Sequence, residues 1–125
     1  FKKFLGDRLV SATAQNGASM KAYASTFSSG EVNVTLVNTG AADQLVEVKT
    51  KNFHAGNRYY WYSLAGGSDN GEFSAKVLVN GNGPSQAAGG PASYSTLKAN
   101  AAPAGNGILV NVPASGAICM VVDTQ

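Results

Sequence analysis

The 125-residue sequence is poor in the residues that most often carry chemistry, with one cysteine, one histidine, one tryptophan and 13% charged residues. Cys119 has no partner for an internal disulfide, and Cys119 with His54 cannot supply a zinc-ligand set. Neither a metal nor another cofactor is expected. Nine Lys and Arg stand against seven Asp and Glu, a net charge of +2 without a basic cluster, so no nucleic-acid partner is expected. No apolar run approaches the roughly 20 residues that span a bilayer. The longest is Ala117 to Val122, and no membrane partner is expected. Also missing is an uninterrupted helical period with a plausible cap, because fifteen glycines and many Ala, Ser, Thr and Asn residues cut the chain into short segments.

What is present is 44% apolar residues, too many for a disordered chain. A chain of this length buries roughly two thirds of its unfolded surface, enough for one domain with an unaided core. The start at Phe1-Lys2-Lys3-Phe4, without an initiator Met or a signal-peptide pattern, reads as a cut through a longer polypeptide whose export signal lies upstream. Residues 1–6 are read as the tail end of a preceding domain or a linker, and 7–125 as a single domain.

The patterning predicts strands. Asp7 to Ala14 is the first candidate, followed by the turn pair Asn16-Gly17, then Ser19 to Phe27 as its hairpin partner. Glu31 to Asn38 alternates Val32, Val34 and Leu36 with Glu31, Asn33 and Thr35, the period of two that turns one face to a core. In Leu45 to Thr50, Val46 and Val48 oppose Glu47 and Lys49, which reads as a half-buried strand with a solvated outer face. Arg58 to Ala65, Ser74 to Asn80, Tyr94 to Lys98, Ile108 to Val112 and Ala117 to Asp123 complete the set. Gly81 to Pro91 has no large apolar side chain and must run over the surface. Eight or nine short strands predict an all-β, antiparallel β-sandwich, with a closed barrel as the alternative.

The candidate chemistry is sparse. His54 reads as a loop residue, and no serine lies in a nucleophile-elbow sequence, which argues against a hydrolase triad. Cys119 alternates with Ala117 and Val121 and reads as a small packed hydrophobe. Glycoside hydrolysis needs two carboxyl groups about 5 to 10 Å apart, one with a raised pKa. Asp7, Glu31, Asp43, Asp69, Glu72 and Asp123 instead fall at strand edges or turns, and Glu47 falls on an outer face beside Lys49. Asp69-Asn70-Gly71-Glu72 clusters oxygen donors without EF-hand spacing and reads as a turn. Gly66-Gly67 and Gly81-Asn82-Gly83 lack the Lys-Ser/Thr ending of a phosphate-binding loop. Asn33-Val34-Thr35 is a glycosylation acceptor placed inside the strongest strand.

The most unusual feature is Arg58-Tyr59-Tyr60-Trp61-Tyr62, which on a strand sends Tyr59 and Trp61 to one face and Tyr60 and Tyr62 to the other. Large rings on both faces leave three readings open: core and loop packing, contact with a neighbouring domain, or a carbohydrate-stacking platform. Arg58 can stack on a ring or pair with an acid.

Phe4-Leu5-Gly6-Asp7-Arg8-Leu9-Val10-Ser11-Ala12, Tyr23-Ala24-Ser25-Thr26-Phe27-Ser28-Ser29-Gly30 and Val34-Thr35-Leu36-Val37-Asn38 together resemble the C-terminal β-sandwich of clan-A glycoside hydrolases. The likeness continues through Tyr62-Ser63-Leu64-Ala65-Gly66-Gly67, Phe73 to Gly81, Gly89-Gly90-Pro91 and Pro113-Ala114-Ser115-Gly116-Ala117. Agarase- and porphyranase-like enzymes come closest, and related sandwiches follow the barrels of arabinofuranosidase-like enzymes. The resemblance implies a sandwich packed on the flank of a (β/α)8 barrel that carries both catalytic glutamates, in a secreted or periplasmic polysaccharide-degrading enzyme. This chain has no barrel, so no catalytic residue carries over. The expected function is therefore a non-catalytic accessory module that stabilises the barrel, its partner in the same polypeptide, with Phe1, Phe4 and Leu5 as apolar surface made for it. The alternative is a carbohydrate-binding module in which Tyr59, Tyr60 or Trp61 stacks on a polysaccharide.

Overall fold

The computed structural model describes residues 4–67 and 73–125. Where the sequence alternates most regularly, the backbone is extended: strand β3 (Val32–Asn38) buries Val32, Val34 and Leu36 in the core. On one side β3 pairs with β2 (Met20–Thr26), and β2 pairs in turn with the short β1 (Arg8–Val10). On its other side lies β9 (Gly116–Thr124), which continues to the eleven-residue β5 (Ala55–Ala65). The far edge of β5 is shared by β6 (Leu78–Val79) and β7 (Asn100–Pro103), completing a seven-stranded antiparallel sheet. Strands β4 (Gln44–Val48) and β8 (Ile108–Val112) form a separate two-stranded antiparallel sheet. The chain is a β-sandwich with very unequal layers.

The core lies between these layers. Ile108, Val110 and Val112 of the small sheet meet Met20, Val32, Val34, Leu36, Tyr59, Ile118, Met120 and Val122 of the large one. All of them occupy the positions of a strict period of two, so one face of each strand supplies the core. Two polar side chains cross the gap. The Tyr59 hydroxyl donates to the Leu109 carbonyl at 2.8 Å and accepts from the Leu109 amide at 3.2 Å. Asn38, 1% exposed, donates through Nδ2 to the carbonyls of Ala42, Val112 and Pro113, and its Oδ1 accepts from the Gly40 amide. Among the described residues, every buried side-chain polar atom has a partner.

Three expectations need correction. Tyr94 to Lys98 is not a strand: Tyr94–Thr96 is a 3₁₀ turn, and Thr96 bonds back to the Ser93 carbonyl through both its amide and its hydroxyl. Such local bonding competes with a ladder, and the strand that pairs with β5 forms four residues later, as β7. Asp7 to Ala14 is strand only over Arg8–Val10, since Asp7 is bent back onto Ser28. Ser74 to Asn80 keeps only the two residues of β6, because the Val77 amide is taken by Gly89 across the surface loop. That loop is fastened by Asn80, which adopts a left-handed backbone (φ 49°). Its side chain accepts from the Ser63 amide at 2.8 Å and donates to the Lys98 carbonyl at 3.0 Å.

Ile118 is 0% exposed at the centre of β9, whereas Leu45 is 73% exposed on the outside of β4. Replacing Ile118 by Ala is expected to lower unfolding free energy by about 2–5 kcal/mol, and Leu45→Ala by no more than about 0.5 kcal/mol. Urea denaturation monitored by Trp61 fluorescence checks the contrast.

Candidate functional site

The aromatic strand divides as its period of two requires. Tyr59 and Trp61 point toward the core layer and stack at 5.3 Å with an interplanar angle of 24°. Tyr59 is 4% exposed, so it has no surface to offer a sugar or another domain. Trp61 is half-buried against the core edge. On the opposite face Tyr60 and Tyr62 are half-buried, and Tyr62 donates to the Leu97 carbonyl at 2.8 Å while meeting the Phe4 ring edge-on at 5.6 Å. Arg58 is exposed and outside any ion pair among the described residues.

Phe4 belongs to an N-terminal strap laid over the outer face of the large sheet. The Gly6 amide donates to Ser25 Oγ at 2.9 Å, and a Cβ at Gly6 would collide with the Thr26 carbonyl, so the strap can lie this close only as glycine. Beneath it Ser25 and Asn33 are buried, and Asn33 Nδ2 donates to the Met120 carbonyl at 2.9 Å. Beside the strap runs an open groove of about 250 Å³ lined by Leu5, Leu9, Tyr23, Ala24, Ser25, Asn33, Thr35 and Val37. Leu9 is 79%, Tyr23 57% and Leu5 55% exposed. The sequence pattern did not reveal this face, because Ser25, Asn33 and Thr35 give it a polar spelling while their side chains bond within the protein.

A second, polar cleft of about 370 Å³ opens at the end of the sandwich where β5 begins and β9 finishes, lined by Glu31, Gly56, Asn57, Arg58, Asp123, Thr124 and Gln125. It exists because β5 bulges: Ala55 pairs with Thr124 and Tyr59 with Val122, leaving Gly56, Asn57 and Arg58 opposite Asp123 alone. Two carboxylates therefore line one cleft. Glu31 is nevertheless held ionised, because the Ser29 hydroxyl, followed by its own backbone amide, lowers its pKa. A glycosidase acid must keep its proton near neutrality, and this environment acts in the opposite sense.

The other described acids are engaged in turn and surface contacts. Asp7 accepts from the Ser28 hydroxyl at 2.8 Å and from the Ser28 amide at 2.6 Å, and these bonds, the hydroxyl foremost, lower its pKa. Asp43 accepts from Asn111 and from the Ala114 amide. Glu47 pairs with Lys49 at 3.2 Å on the exposed side of β4. His54 is exposed just before β5, its carbonyl accepting from the Gln125 amide. Cys119 is buried, and burial raises its thiol pKa. Among the described residues no three His, Cys, Asp or Glu gather as metal ligands. Asp69-Asn70-Gly71-Glu72 lies outside the described residues, as does Phe1.

No protein-family model and no curated protein matches the sequence. Solved structures do match its fold. A bifunctional glucanase-xylanase from a metagenome library, CelM2, aligns over 97% of this chain and 19% of its own, with a TM-score of 0.64 at 18% identity. The arabinose-bound α-L-arabinofuranosidase MgGH51 aligns over 100% of this chain and 18% of its own, with a TM-score of 0.66 at 16% identity. A GH30 endoxylanase from Clostridium papyrosolvens C71 aligns over 94% of this chain and 23% of its own, with a TM-score of 0.55 at 17% identity. The chain thus spans about a fifth of the length of the glycoside hydrolase structures that it resembles.

Asp7 and Glu31 are stabilised in their charged forms by folding, so their contribution is complete above the ordinary carboxylate range and is lost as pH falls through the lowered folded values. The urea midpoint is expected to stay level from pH 7 to about 5 and to drop below about pH 4, with a shallower drop in Asp7→Asn. For Cys119 the expectation is a thiol silent to a disulfide reagent at neutral pH in the folded chain and fully titratable in denaturant, read by absorbance.

Proposed function

We propose that the chain is a non-catalytic C-terminal β-sandwich module of a secreted, polysaccharide-degrading clan-A glycoside hydrolase. In this reading it packs on and stabilises the catalytic barrel of the same polypeptide, with residues 1–6 as the tail end of a preceding domain or a linker and 7–125 as the module. The observation that carries the reading is the end-to-end match of this one domain to about a fifth of several glycoside hydrolases. A unit of that proportion leaves room elsewhere in the polypeptide for a barrel, whose strand ends are where paired acids act.

The local chemistry supports the same division of labour. Asp7, Asp43 and Glu47 are engaged in turn and surface contacts, and Glu31 is stabilised as an anion rather than poised as an acid. What the module supplies is rigidity: a long central strand, β5, fixed on both edges and pinned through Tyr59 to the opposite layer. A barrel resting on such a slab undergoes fewer local openings, which is how an accessory domain raises the stability of its neighbour.

The purified chain is expected to show no turnover of agar, porphyran, xylan or aryl glycosides by reducing-sugar and chromogenic assays. Turnover abolished by Glu31→Gln or Asp123→Asn would overturn the reading. In affinity electrophoresis over the same polysaccharides, uniform migration is expected; retardation that disappears in Trp61→Ala would replace the scaffold with a carbohydrate-binding module.

A further inference from the structure

We infer that the outer face of the large sheet, around Leu5, Leu9, Tyr23 and Val37, is the surface by which the module docks on an apolar face of the preceding domain of its own polypeptide. This rests on the module reading above and adds the face, the residues and the partner's chemistry.

The two outer faces of the sandwich differ in kind. The small sheet presents Leu45 and Leu109, 73% and 44% exposed, each opposite a polar cross-strand neighbour, Asn111 and Glu47, that is bonded to Asp43 or Lys49. The large sheet presents Leu5, Leu9 and Tyr23, more than half exposed, around an open groove. Contiguous apolar surface of this kind marks an interface. The polar members of that face make burial inexpensive. Ser25 already accepts from the Gly6 amide and Asn33 donates to the Met120 carbonyl, so a partner covering the groove strands neither of them.

The path of the strap selects the occupant. Phe4, Leu5 and Gly6 run across this face, with Phe4 packed on Tyr62 and Gly6 bonded to Ser25, so the described chain enters the module on this side. A domain tethered there meets the groove at a high effective concentration, which a second copy of the chain cannot match. The occupant therefore offers apolar side chains to the groove and a polar rim to the Tyr23 hydroxyl and Lys21.

Maleimide labelling of single-cysteine probes tests the assignment in two contexts, the full polypeptide and the 125-residue chain. Tyr23→Cys or, as a second position on the same face, Leu9→Cys reports on the groove; Leu45→Cys reports on the opposite layer, and buried Cys119 stays silent in each. The expected result is labelling at position 23 or 9 roughly tenfold slower in the full polypeptide than in the chain alone, with position 45 unchanged. Slowing at position 45 instead would overturn the face while leaving the module reading intact. Slowing at neither would likewise overturn the face. Slowing at position 23 that scales with the concentration of the full polypeptide would assign the groove to a second copy and overturn the intramolecular partner.

Discussion

A two-stranded sheet does not persist by itself in water, and β4–β8 is one. Its existence depends on pressing Ile108, Val110 and Val112 onto the larger layer, and the two polar pins decide where it sits. Tyr59 occupies both backbone groups of Leu109 on the strand edge that β4 does not use, while Asn38 gathers carbonyls at the far end of β8. Fully satisfied and largely dry, such bonds specify one register rather than add much net energy. The aromatic strand is thus first a fastening between layers, and only its remaining rings are free for other contacts.

That arrangement leaves the molecule lopsided. One outer face carries an ion pair and an amide contact beside its leucines, the other an apolar groove next to an N-terminal strap. Two carboxylates follow the same logic: Asp7 and Glu31 accept from serine hydroxyls and from backbone amides in turns, which favours their charged forms where a proton-donating acid would be needed. The polar cleft beside the β5 bulge is the exception in position, since it brings Glu31, Arg58 and Asp123 to one opening.

Strands with strict alternation were legible in the sequence. Val32 to Leu36 and Ile108 to Val112 announce both their extended backbone and their buried face, because a two-residue period has no other economical meaning. The unequal layers were not legible, since pairing partners are set by contacts far apart in the chain: 77 residues separate Asn38 at the end of β3 from Gly116 at the start of β9. Nor was β7, whose Asn100-Ala101-Ala102-Pro103 has no alternation and is extended because β5 offers a free edge. The outer face was hidden for a related reason. Ser25, Asn33 and Thr35 look like solvent residues until their partners are known, and the strap that covers two of them depends on one glycine.

Asn33 also carries the acceptor sequence for an N-linked glycan, yet it is 3% exposed with its amide committed to the Met120 carbonyl. With so little of that side chain exposed, glycan attachment has to precede closure of this face of the sheet. In a eukaryotic secretory host the outcome is a race between the transferase and strand pairing, and molecules that lose it are tagged at the centre of their own sheet. Occupancy at this one asparagine would record, molecule by molecule, how quickly the last strand arrives.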